Sequence, residues 1–199
     1  MSAARLATVR DEIVACNDCP RLRRYCARIA REKKPAHRED SYWGRPVPGF
    51  GDPDARLLLV GLAPAAHGAN RTGRIFTGDG SGDFLMSALH AAGFANIATS
   101  RSADDGLELR DAYILAAARC APPDNKPTPD EIARCRRHLT AEIAALPRVR
   151  VIVALGKIGH DAYLAHAAAT HGVRPRPRPA FAHGSEARLG GGLPILLGC

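Results

Sequence analysis

Four short runs of almost unbroken apolar residues punctuate this chain: Leu57-Leu58-Leu59-Val60, Tyr113 to Ala118, Val149 to Leu155 and Leu193 to Leu197. Runs of that length and uniformity predict strands buried on both faces, as in a parallel sheet. Between them the apolar positions recur at helical spacing. Leu6, Val9, Ile13 and Val14 predict a helix leading into Cys16, and a second helix is expected from Cys19 toward Pro35. Phe84 to Ala92 reads as a helix stopped by Gly93, and another helix should run from Gly156 to about Ala168. The strongest helix start is Thr128-Pro129-Asp130-Glu131. Thr128 can cap, Pro129 suits the first turn, and Glu131 completes a capping box. That helix puts Ile132, Cys135, Leu139, Ile143 and Leu146 on one stripe.

Residues 35–55 and the glycine-rich stretch from Gly61 to Gly82 read as loops. Strand–helix alternation predicts an α/β fold. The expectation is a single three-layer domain over residues 1–199, with a mostly parallel four-stranded central sheet flanked by helices. Ligands in such sheets sit outside the carboxyl ends of the strands. Here those ends lead into the Gly61 loop, the Cys120–Asn125 loop and the segment after Gly156.

Charge adds a partner class. Lys and Arg number 28 against 20 Asp and Glu, which favours polyanions and nucleic acid first. The excess is local: one block holds Arg21, Arg23, Arg24, Arg28, Arg31, Lys33, Lys34 and Arg38, and Arg174, Arg176 and Arg178 alternate with prolines in another. No apolar stretch follows a basic start, and no run approaches a membrane span. The expected compartment is therefore the cytoplasm, in the company of the nucleoid, where cysteine clusters mean metal rather than disulfides.

The cysteines then become informative. Cys16 and Cys19 form a Cys-x-x-Cys-Pro sequence, and Cys120 and Cys135 follow far downstream. Four soft thiolates in two distant pairs suit zinc or an iron–sulfur cluster. A zinc ribbon would repeat the short knuckle in its second half. The irregular second pair favours a [4Fe–4S] cluster, against the alternative of four unrelated core thiols. Cys26 and Cys199 are left as non-ligands.

The loop after the first strand runs Gly61-Leu62-Ala63-Pro64-Ala65-Ala66-His67-Gly68 and, after Ala69, Asn70-Arg71-Thr72-Gly73-Arg74-Ile75-Phe76-Thr77-Gly78-Asp79. It matches neither a P-loop nor a dinucleotide fingerprint, and no Gly-x-Ser-x-Gly turn supports a serine hydrolase. Together with Pro46–Asp52, Cys120-Ala121-Pro122-Pro123 through Glu131, Ala154-Leu155-Gly156 and the four cysteines, this loop resembles the iron–sulfur uracil-DNA glycosylases. The likeness is greatest to their type-B, or fifth, family. The fourth family typically carries Glu where this chain has Leu62.

The resemblance implies a sheet flanked by helices, a cluster near the DNA-binding surface that takes no redox part in catalysis, and uracil-containing damaged DNA as the partner of a monomer. It implies cleavage of the N-glycosidic bond of uracil, and of other deaminated bases, with Asp79, Asn125 and His67 in catalytic positions. Gly61, Ala63, Pro64, Ala65, Phe76 and Asn125 would meet the base or the DNA.

The residue types suit that chemistry. A flipped base must be held by its edge and face. Asn125 offers a donor and an acceptor for the edge, though it is also an ordinary turn residue. Phe76 could stack on the base or fill the core. Asp79 could orient a water toward C1′ and offset charge on the sugar, and it could equally cap the next helix. His67 could hydrogen-bond near the base or sugar, or serve structure alone.

Two departures stand out. In the founding branch of these enzymes a water-activating Asp falls at Ala63 and a thymine-excluding Tyr at about Ala65; in the fifth family the acidic role goes to the position of Asp79. The family's His-x-Ser motif and DNA-inserting loop should begin just after Cys199, so the chain reads as C-terminally incomplete. Two expectations follow: weak or absent excision by these 199 residues alone, and, as the competing reading, a non-catalytic iron–sulfur DNA-binding module.

Overall fold

The computed structural model describes residues 2–199. Two helices come first: α1 (Ser2–Ala15) and α2 (Pro20–Glu32). Strand β1 (Phe50–Gly51) precedes β2 (Leu57–Gly61), and helices α3 (Ala69–Thr72) and α4 (Gly80–Ala91) lead to β3 (Ala112–Ala116). Then α5 (Pro129–Ala144), β4 (Val151–Ala154), α6 (Lys157–His171), β5 (Glu186–Ala187) and β6 (Ile195–Gly198) complete the order.

The sheet has six strands in the order β1-β3-β2-β4-β6-β5, not the four expected. The four anticipated strands form its parallel centre, with Leu58 beside Tyr113 on one flank and Ile152 on the other. The additions are antiparallel edges of two residues each. Two residues carry no period, so nothing in the apolar pattern could announce them.

Alternation along β2 divides the core. Leu58 and Val60 join Leu115, Ile152, Leu139, Tyr163 and Ala167 on the face covered by α5 and α6. Leu59 turns to the other face, with Ile114, Ala116 and the α4 residues Leu85, Met86 and Leu89. Gly159 in α6 is required by this packing, because a Cβ there would stand 2.2 Å from the carbonyl oxygen of Val60. Thr128 caps α5 as the sequence predicts: its side chain accepts from the Glu131 N–H, and the Glu131 carboxylate accepts from the Thr128 N–H at 2.8 Å.

Candidate active site and four-cysteine centre

The loops leaving β2 and β3 meet in a cavity of about 480 Å³. Its walls bring together Ala65, His67, Gly68 and Asp79 from the first loop and Pro122, Asp124 and Asn125 from the second. Tyr25 of α2 and Lys34 and His37, just beyond it, also line it.

Asp79 divides its carboxylate between two tasks. Oδ1 accepts from the backbone N–H groups of Ser81 and Gly82 at 3.1 and 3.0 Å and caps α4. Oδ2 lies over Gly68, where a Cβ would stand only 1.9 Å away. Gly68 is thus the residue that lets the second oxygen keep its place. The capping reading and the functional reading of Asp79 fit one side chain.

Arg71 holds the loop around this carboxylate. It donates to the carbonyl of His67 at 2.8 Å, to that of Gly78 at 3.0 Å and to Asp40 at 2.7 Å. His67 Nδ1 meets the Tyr42 hydroxyl at 2.9 Å. Burial lowers the pKa of His67 from its ordinary value, and the nearby cations Lys34, His37 and Arg71 push it the same way. The imidazole is therefore held neutral at neutral pH. Asn125 is exposed at the rim, following Asp124 in a pair of left-handed conformations with φ of 53° and 56°. Asn and Asp tolerate that region better than most side chains.

Not every expected residue reaches the cavity. Gly61, Ala63, Pro64 and Phe76 stand outside its lining. Pro64 is buried, and the Phe76 ring packs so close to Gly61 that a Cβ there would lie 2.9 Å from it. Phe76 also joins the core beneath α4, so its core contact is the one realised here. Tyr25, His37 and Gly68 are wall residues that the sequence does not mark. The basic block pointed to Lys34, whereas nothing local marks Tyr25.

A second cluster forms where the turn between α1 and α2 meets the loop after β3. Cys16, Cys19, Cys120 and Cys135 line one cavity, with Arg23, Arg119, Glu131, Arg134 and His138 around them. The Arg119 N–H points at Cys135 Sγ at 3.3 Å, and Arg137 reaches Cys16 Sγ at 3.4 Å. Cys26 does not line this cavity; it is fully buried beside it and points at the Ala121 carbonyl, 3.6 Å away. Burial pushes Cys135 up to about 12 and raises Cys19 as well, while contact with Cys26 followed by burial raises Cys120. Among the described residues, no three His, Cys, Asp or Glu close on a point fit to hold a single ion. The fit to a metal group rests on the donor set. Four thiols line one cavity; burial at Cys19 and Cys135, and the Cys26 contact and burial at Cys120, disfavour free thiolates there, and binding to metal is what would stabilise them deprotonated.

A parallel sheet with its cavity at the carboxyl ends, a carboxylate poised there and basic side chains at the mouth define a class. The description "Uracil DNA glycosylase superfamily" matches residues 48–190, and the chain belongs to that superfamily, within its type-5 family. A type-5 uracil-DNA glycosylase of Thermus thermophilus is 51% identical over 92% of this chain and 81% of its own length. Type-5 relatives from Mycobacterium leprae and Pyrobaculum aerophilum are 46% and 44% identical, over 99% and 96% of this chain and 84% and 83% of their own lengths.

Proposed function

We propose that this chain excises uracil from DNA by hydrolysing its N-glycosidic bond, with Asp79 as the group that acts on the reacting water. The observation that carries the assignment is the split carboxylate: Oδ1 is fixed by the helix cap and Oδ2 is left at Gly68 on the cavity wall. A capped carboxylate cannot swing, so Oδ2 is preorganised to order a water and to offset positive charge growing at C1′. Ala63 offers no carboxylate to compete.

The remaining wall residues read the base. Asn125, on the same cavity as Asp79, presents donor and acceptor to the Watson–Crick edge of a flipped uracil. Neutral His67, oriented by Tyr42, gives a further polar contact without adding a cation beside the developing sugar charge. Ala65 leaves the wall open, so deaminated bases beyond uracil are expected to be accepted.

Cys16, Cys19, Cys120 and Cys135 would hold a [4Fe–4S] cluster, whose chemistry when bound is that of a structural clamp. The residues themselves supply the rest of the support: Arg21 ties α2 to Glu131 of α5, and Arg137 ties Asp18 to the same helix. The reading is tested by single-turnover excision from uracil-containing duplexes and by iron analysis. Asp79→Asn should slow excision by about 100- to 1000-fold with DNA affinity nearly intact; full activity would refute the role. Iron should be present at about four atoms per chain in the brown, anaerobically purified protein, and stoichiometric zinc without iron would exclude the cluster.

A further inference from the structure

Helix α2 carries five arginines, and the fold consumes only two of them. Arg21 grips both oxygens of Glu131 at 2.8 Å and donates to the Lys126 carbonyl at 3.1 Å. Arg23 turns inward and donates to the Gly44 carbonyl at 3.1 Å. Arg24, Arg28 and Arg31 are exposed. The Arg28 guanidinium rests on the ring of Tyr25, 5.3 Å from its centre, and reaches Glu32 only at 3.6 Å.

These three arginines line a groove of about 550 Å³ with Arg21, Tyr25 and Pro123. The groove adjoins the active-site cavity. Tyr25 belongs to the walls of both, and consecutive prolines, Pro122 and Pro123, line one each. Lys34 carries the positive charge from the end of the helix to the mouth of the cavity itself, beside His37, whose Nδ1 lies 3.2 Å from Asp40. From Arg24 to Arg31 the helix rises about 10 Å at 1.5 Å per residue. Measured along a duplex axis, where one strand advances a phosphate about every 3.4 Å, that rise corresponds to about three phosphates.

We infer that α2 is the track for the sugar–phosphate backbone of the damaged strand. Arg24, Arg28 and Arg31 take successive phosphates beside the flipped nucleotide, Lys34 takes the phosphate at the mouth, and Tyr25 stands between the two spaces as a wall that braces Arg28. This rests on the glycosylase reading for the identity of the strand. The chemistry is consistent with it, because a cavity whose wall carries Asp79 would repel a phosphate unless cations flank it. The other basic segment is placed differently: Arg174, Arg176 and Arg178 line neither space, and Arg178 is taken by Asp161 at 2.7 Å.

The test is fluorescence anisotropy with the full chain, titrated with salt, on a single strand and on a duplex holding a tetrahydrofuran abasic analogue. The Arg24→Gln/Arg28→Gln/Arg31→Gln variant should lose about 2 units of the log affinity–log salt slope on the single strand and about 2.7 on the duplex. Arg174→Gln/Arg176→Gln should leave the slope in place. Tyr25→Ala, which removes the ring beneath Arg28, should weaken binding. An unchanged slope in the triple variant with its melting temperature intact would overturn the track, as would a larger loss from the Arg174/Arg176 pair. Should the triple variant unfold, Arg24→Gln alone decides, with an expected loss of about 0.7 to 0.9 unit. Failure of the glycosylase reading would look different: the slope would respond while uracil stayed in the DNA.

Discussion

At Asp79 one side chain serves the helix with one oxygen and the cavity with the other, and substitutions can pull the two apart. Ser caps nearly as well as Asp. Asp79→Ser should therefore keep the melting temperature close to the parent's while excision falls as far as in Asp79→Asn. Asp79→Ala should lose the cap too, at about 1 kcal/mol, read by urea unfolding. Gly68→Ala probes the same oxygen from the opposite side. Its methyl would collide with Oδ2, so single-turnover excision should drop sharply while DNA binding survives. That Asp79 and Asn125 would lie on one cavity was legible only through the family resemblance, since each alone reads as a cap or a turn residue. Gly68 was not, because its importance lies in a contact across eleven positions that only the folded loop creates. Tyr42 was hidden for the same reason, meeting His67 from a loop with no periodic signal.

Helix α5 shows how an element can be legible at its ends and opaque in its middle. Its capping box was plain in Thr128 to Glu131. Its buried acid was not: Glu142 is 1% exposed and contacts the equally buried Arg119. Glu142 Oε1 also accepts from the Gly49 N–H at 2.8 Å and the Tyr113 hydroxyl at 3.2 Å. A buried acid in a polar position of a helical pattern looks like any surface residue until its partner arrives from the loop after β3. Removing one side of such a pair leaves the other charge stranded, so Glu142→Gln should cost about 3–5 kcal/mol in urea unfolding. Between α5 and α6, His166 sits beside Thr140 at 3.0 Å, and burial lowers its pKa to about 4. The unfolded chain binds this proton near the ordinary value of 6.5 and the folded chain does not. Its contribution is complete above that value and is lost as pH falls toward 4. Unfolding curves at pH 7 and pH 5 should differ by less in His166→Gln than in the parent. Helix α4 begins at Gly80, earlier than the expected Phe84, because the Asp79 cap recruits a Gly-Ser-Gly turn that propensity alone assigns to loop.

For the whole molecule, the sheet order puts β2 at the centre, between β3 and β4. The parallel core was readable because each strand is apolar on both faces. Its short antiparallel edges were not. Every wall of the active-site cavity depends on segments brought in from afar: α2, the loop after β2 and the loop after β3. Substituting Cys16 or Cys135 by Ser should therefore lower iron content and melting temperature together, while Cys26→Ala should keep the iron. The four-cysteine centre has one more consequence, and it concerns time. More than a hundred residues separate Cys19 from Cys135. At a synthesis rate of roughly 5–20 residues per second, the first pair of thiols is made about 6 to 23 seconds before the last one exists. During that interval Cys16 and Cys19 are an unclaimed dithiol on a nascent chain, open to oxidants and to stray metal. The vulnerable moment in this protein's life falls in its birth, and yield should follow the redox state of the cell during translation more closely than that of the finished protein in storage.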